Sequence, residues 1–172
     1  MASKRFQQER RSAPVLPKGI PKVGEGKRGE VGHIGYLMRQ ASAAMRQAFE
    51  QVLRPIGLTH PQYVILTMCG AYGARSGAEL AHITHLTPQT VTVITSNLVR
   101  ARYLKRQPDP DHAKVVLFII TDSGVNLLQT AREVLEEVEA MFTAGLTPPQ
   151  LSLIRSWLVS IAKVVEEETF ER

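Results

Sequence analysis

A chain of 172 residues with a single cysteine, Cys69, holds no internal disulfide framework, and such usage fits a reducing cytoplasm. Long apolar runs are missing as well. The longest, residues 115–120, is far short of the ~20 residues a membrane span needs, so no membrane partner is expected. The first residues are charged and carry no apolar signal core, which argues against secretion. The constellations of enzymes are absent too: there is no Gly-rich phosphate loop and no His-Glu-x-x-His pattern. No catalytic residue and no cofactor are expected. His82 and His85 stand at a spacing that suits a metal, but no carboxylate or thiol accompanies them at a telling distance, so no metal site is expected either. Cys69 lies in a short apolar stretch with nothing nearby in sequence to lower its pKa, which predicts a buried, inert thiol rather than a redox sensor.

What is present is a 44% hydrophobic content, enough for one domain with a core. The net charge of +5 is unevenly placed. Residues 1–30 hold eight basic and three acidic side chains and so carry the whole excess, while the rest of the chain is neutral. Within that remainder Arg100, Arg102, Lys105, Arg106 and Lys114 cluster, and glutamates mark the C-terminal part. A basic tail with a basic middle suits a polyanion; it equally suits a solubilising tail and solvated faces, and charge alone leaves both open.

The chain reads in four segments. Residues 1–30, rich in proline and glycine, predict a flexible basic arm. Residues 31–58 carry Ile34, Leu37, Met38, Ala41, Met45, Phe49, Val52 and Leu53 at helical spacing and predict one long helix. Three helix starts follow a common pattern, Thr59 with Gln62, Ser76 with Glu79 and Thr147 with Gln150, each a capping box. They predict short helices near 61–70 and 77–84 and a long one from about 148 to 168. Another long helix follows Thr121, with a stripe of Val125, Leu128, Ala131, Leu135, Val138 and Phe142. Between them, residues 103–107 and 115–120 are strand-like and bracket a turn-rich, charged tip, which predicts a β-hairpin.

Residues 91–95 are five consecutive β-branched residues and by propensity resemble a strand. Their flanks predict a helix. Thr87 can cap, Pro88 suits the first helical position, and Val91, Ile94 and Leu98 fall on one face. The propensity cost is a few tenths of a kcal/mol per residue, roughly, against ~1.5–3 kcal/mol for burying each apolar side chain. The opposite face carries Gln89, Thr92, Val93, Ser96 and Arg100, residue types that suit a DNA major groove or simply a solvated surface.

The order of these parts decides between the two. Ala78, Glu79, Leu80 and Ala81, then Leu86 to Thr92 in sequence, Asn97 to Arg106, Pro108-Asp109-Pro110 and Thr121-Asp122-Ser123-Gly124 together resemble the MarR family of regulators over about residues 31–168. The resemblance implies a mainly α fold with a small two-stranded β wing: a winged helix-turn-helix lobe over 59–121, and helical dimerisation regions over 31–58 and 122–172. It implies a homodimeric DNA-binding repressor, relieved by a small aromatic or phenolic ligand, on a pseudo-palindromic double-stranded operator; with the cysteine usage, a cytoplasmic one. An aromatic acid or its coenzyme A thioester would suit a pocket near the basic arm. DNA contacts would come from Gln89, Thr92, Val93, Ser96 and Arg100, with Lys105, Arg106, His112 and Lys114 on the wing. Effector contacts would come from His33, Tyr36, Arg39, His60 and Tyr63, Arg39 clamping an anionic group and the histidines and tyrosines bonding a phenol.

The chain departs from the family at three places. The wing tip aligns as His112-Ala113-Lys114 where Asp-Arg-Arg is usual, Val93 stands where a basic residue is frequent, and Arg102 replaces a glycine. Lys114 keeps the charge without the planar fork that suits a narrow minor groove. A dimer that binds ligand or protein and has lost specific DNA binding is the alternative these departures allow.

Overall fold

The computed structural model describes residues 20–170, with side chains through Val164. Residues 1–19 of the expected arm lie outside the described residues. The chain divides into two units, residues 1–44 and 45–172.

In the first unit, residues 20–32 form a succession of turns with a short 3-10 segment, Gly26–Arg28. Arg28 anchors them: its guanidinium donates to the Pro21 carbonyl at 2.7 Å and to the Gln40 side chain at 2.9 Å. The part of the expected flexible arm that is described, residues 20–30, is therefore wound into turns and held by Arg28. Helix α1, Ile34–Leu53, begins here and continues into the second unit.

The second unit holds the core. Helix α2 (His60–Tyr72) is followed by strand β1 (Arg75–Ser76), α3 (Gly77–Thr84), α4 (Pro88–Arg100), β2 (Leu104–Pro108), β3 (Val116–Ile120), α5 (Asp122–Thr143) and α6 (Pro148–Phe170). The capping residues act as their types dictate. Gln62 N–H donates to Thr59 Oγ1 and Thr59 N–H to Gln62 Oε1, and Ser76 and Glu79 exchange the same pair of bonds. The bond from the Ser76 backbone, followed by that from its hydroxyl, holds the Glu79 carboxyl below the usual carboxylate range. At α6 the Gln150 carbonyl accepts from both Thr147 N–H and its hydroxyl.

The buried residues include Leu53, Ile65, Leu66, Leu80, Val91, Leu98 and Leu104, so α1, α2, α3, α4 and the wing share one core. The expected hairpin is present, with Leu104 opposite Ile120 and Arg106 opposite Phe118. It is joined by a strand the sequence pattern does not predict: β1 pairs antiparallel with β3, and the order is β1-β3-β2. Two residues without alternation carry no strand signal of their own; they pair because β3 offers an open edge.

Helix α5 buries Leu128, Ala131, Leu135 and Val138 as its spacing predicts. Val125 does not join them and is 49% exposed. Gly124 takes the inward place, because a Cβ there would come within 2.2 Å of the Tyr103 carbonyl oxygen. Among the described residues no helix is long and apolar enough to cross a membrane.

Candidate nucleic-acid interface

Residues 91–95 are helical. Thr87 is the N-cap of α4 and its hydroxyl accepts from Thr90 N–H at 3.2 Å. Val91, Ile94 and Leu98 turn inward as their spacing predicts, and Thr95 is buried with them. Its hydroxyl donates to the Val91 carbonyl at 2.8 Å, so a polar side chain enters the core with its proton satisfied by its own helix. The sequence holds that signal, since Thr95 lies four residues after Val91.

The outer face carries the expected set. Gln89, Thr92, Val93 and Arg100 are exposed, and Ser96 is half-buried. Val93 is 61% exposed, an apolar group held in water on an otherwise polar face. The Thr92 hydroxyl donates to the Pro88 carbonyl at 2.8 Å. Its proton is thereby committed, which leaves the oxygen as an acceptor for an N–H donor such as the exocyclic amine of adenine or cytosine.

Two expected contact residues are bonded to each other. Arg106 on β2 donates to Ser96 Oγ at 3.3 Å, and its guanidinium lies 6.0 Å from the centre of the Phe118 ring. The wing is thus tied to the outer face of α4 by a side chain ten positions away, a link that local sequence does not reveal. Lys105 is exposed beside it.

The wing tip is ordered by Asp109. Its Oδ1 accepts from the N–H groups of Asp111 and His112 at 2.9 and 3.3 Å, and its other oxygen lies 3.9 Å from His112 Nδ1. Backbone bonds from Asp109 N–H to Val115 and from Val115 N–H to His112 close the turn. His112 and Lys114 are exposed at this tip.

The expected effector residues fall in both units. In the first, His33 and Tyr36 lie one turn apart, with Tyr36 N–H bonded to the His33 carbonyl, and Arg39 follows one turn on; all three are exposed. In the second, His60 and Tyr63 are half-buried on the first turn of α2. The His60 ring lies 5.3 Å from that of Phe49, which in turn meets Phe142 edge-on at 5.9 Å. Burial pushes the His60 pKa below its ordinary value; Glu50 opposes the shift and Arg46 adds to it. Cys69 is buried, and desolvation lifts its thiol to about 11, which makes it a poor nucleophile at neutral pH. No group of three metal-ligating side chains is drawn together among the described residues.

Residues 56–114, spanning α2, α3, α4, β2 and the wing tip, match the sequence pattern of the MarR family. An HTH-type transcriptional repressor of Mycobacterium tuberculosis is 31% identical over 117 residues, covering 68% of this chain and 84% of the repressor. The fold is similar to that of BpsR from Bordetella bronchiseptica, whose DNA binding is regulated by 6-hydroxynicotinic acid (TM-score 0.70, 24% identity, 84% of this chain and 98% of that one). It is also similar to CouR from Rhodococcus jostii, solved bound to p-coumaroyl-CoA (TM-score 0.70, 22% identity, 75% and 91%). A regulator of transcription rather than an enzyme, this chain belongs to the MarR family of DNA-binding winged helix-turn-helix proteins.

Proposed function

We propose that the protein is a homodimeric repressor that places two copies of α4 in successive major grooves of a pseudo-palindromic operator and is released by a small aromatic acid or its coenzyme A thioester. The observation that carries this reading is α4 itself: a Thr87-capped helix that buries Val91, Ile94, Thr95 and Leu98 and leaves Gln89, Thr92, Val93 and Arg100 in solvent. Gln89 pairs with a base edge, Thr92 accepts from one, and the Val93 methyls meet a thymine methyl. Arg100, Lys105 and Arg106 supply charge for the phosphates, and Lys114 with His112 approaches the flanking minor groove.

Dimerisation is supported by α6, which leaves Leu153 70%, Ile154 39%, Trp157 41% and Leu158 45% exposed. A run of apolar side chains of this extent calls for a partner surface. The effector class rests on residue chemistry and on what BpsR and CouR respond to or hold. Burial disfavours the charged form of His60, which suits its ring to hydrogen-bond a phenol. The guanidinium of Arg39, in the other unit, is of the type that pairs with a carboxylate or phosphate. Arg39→Ala should weaken an aryl carboxylate or its thioester by roughly tenfold, read by titration calorimetry, while operator affinity in the absence of effector stays the same. Unchanged effector affinity would remove Arg39 from the assignment.

The direct test is a gel shift of the full chain on the DNA upstream of its own gene, at several salt concentrations. A sequence-selective complex that weakens steeply with salt supports the reading. Its absence would favour a ligand- or protein-binding dimer without specific DNA recognition.

A further inference from the structure

Helix α4 ends in a Schellman motif: Tyr103 N–H donates to the Leu98 carbonyl at 2.9 Å and Arg102 N–H to that of Val99 at 3.0 Å. This closure demands a left-handed residue between helix and strand, and Arg102 occupies it at φ 63°. Glycine is the usual occupant, because any Cβ crowds the carbonyl in that conformation. Three further bonds hold the backbone there. Thr121 Oγ1 donates to the Arg102 carbonyl at 2.7 Å and to that of Tyr103 at 3.2 Å, and Thr121 N–H donates to Tyr103 at 3.1 Å. Strain of this kind persists where surrounding bonds over-determine it. The other non-glycine residue at positive φ among those described is His85, a type several-fold enriched there; arginine is not.

Among the described residues no contact repays the choice of arginine. The side chain is exposed and makes no hydrogen bond or ion pair among the described residues. A cation near the helix C-terminus is favourable, but Arg100 already stands in the last turn of α4. Arg102 does lie between Arg100 and the exposed Lys105 and Arg106, on a corner fixed against both α4 and the wing.

We propose that Arg102 is a DNA-backbone contact: its guanidinium is held at this corner to pair with a phosphate oxygen beside the groove that α4 enters. The inference rests on the reading of α4 as the DNA-contacting helix. A guanidinium suits phosphate through its planar fork, and a phosphate contact positions the protein without reading sequence.

The test compares the full-length protein with Arg102→Gly and Arg102→Lys, measuring affinity for operator and for unrelated duplex across a salt series, with thermal midpoints alongside. Arg102→Gly should bind both duplexes roughly tenfold more weakly at low salt. Its salt slope should be smaller by about 0.9 for each Arg102 engaged. Its midpoint should hold or rise by up to about 4 °C, because the strain is gone. Arg102→Lys should recover most of the slope without the gain in midpoint. An unchanged slope in Arg102→Gly would overturn this proposal while leaving α4 as the DNA-contacting helix. A lowered midpoint with the loss of affinity would also overturn it, assigning Arg102 to the fold. If the unsubstituted protein forms no salt-sensitive complex at all, both readings fall together.

Discussion

Ser96 and Thr92 stand on the same helix face with their hydroxyls already engaged, one by Arg106 and one by the Pro88 carbonyl. Thr92, already a donor, remains able to accept, and Ser96, already an acceptor, keeps its own proton to donate; on a helix that enters a groove such groups discriminate between base edges. Substituting both, Thr92→Ala with Ser96→Ala, should lower the ratio of operator to non-operator affinity by roughly tenfold, with non-specific binding nearly unchanged in a competition gel shift. Equal loss on every duplex would count against this division between reading and holding. His60 supports a second prediction. Its folded-state pKa lies below its unfolded value, so the unfolded chain binds more protons as the pH drops. Its neutral form is accommodated above the unfolded pKa, and stability falls as the pH passes below about 6.5 toward the lowered folded value. The decline in thermal midpoint between pH 7.5 and 5.5 should therefore be shallower in His60→Gln than in the unsubstituted protein.

At the level of elements, what could be read in advance was whatever is specified by neighbours in the chain. Thr87 and Pro88 announce α4 strongly enough to outweigh five β-branched residues, and the Thr59 and Ser76 boxes announce α2 and α3 in the same way. Strand β1 was illegible, because two residues pair only once the fold brings β3 alongside. The tie from Arg106 to Ser96 was illegible for the same reason. The Asp109 clamp on the wing tip was half legible: an Asp in a turn-rich segment is expected to bond backbone two residues on, though not to hold His112 as well. Gly124 closes the Thr121-Asp122-Ser123-Gly124 motif, but its reason is tertiary. The start of α5 passes so close to the α4–β2 corner that a methyl group would meet the Tyr103 carbonyl at 2.2 Å and Ile120 Cγ1 at 2.8 Å. Gly124→Ala should destabilise the lobe by about 2–3 kcal/mol in urea denaturation, because a backbone atom rather than a flexible side chain must yield.

For the whole molecule, the exposed apolar side chains of α6 set the expectation. If Leu153, Trp157 and their neighbours meet a second copy, Trp157→Glu should shift sedimentation from dimer toward monomer. Affinity for a full pseudo-palindrome should then fall toward that for a half-site, since two α4 helices would no longer bind as one ligand. A dimeric mass with intact operator affinity in that variant would place the interface elsewhere. The corner described at Thr121 bears on how such a dimer changes state. One threonine caps α5 through Gly124 N–H at 3.1 Å and grips the carbonyls of both Arg102 and Tyr103. The first turn of α5 is thereby bonded directly to the corner that ends α4, as a blade is pinned to its handle. If that corner holds as one piece, a change in spacing between two copies of α4 arises farther along α5 or in other helices. The amide protons of Thr121 and Gly124, donated to the Tyr103 carbonyl and the Thr121 hydroxyl, should then keep the same protection from exchange whichever state the protein occupies.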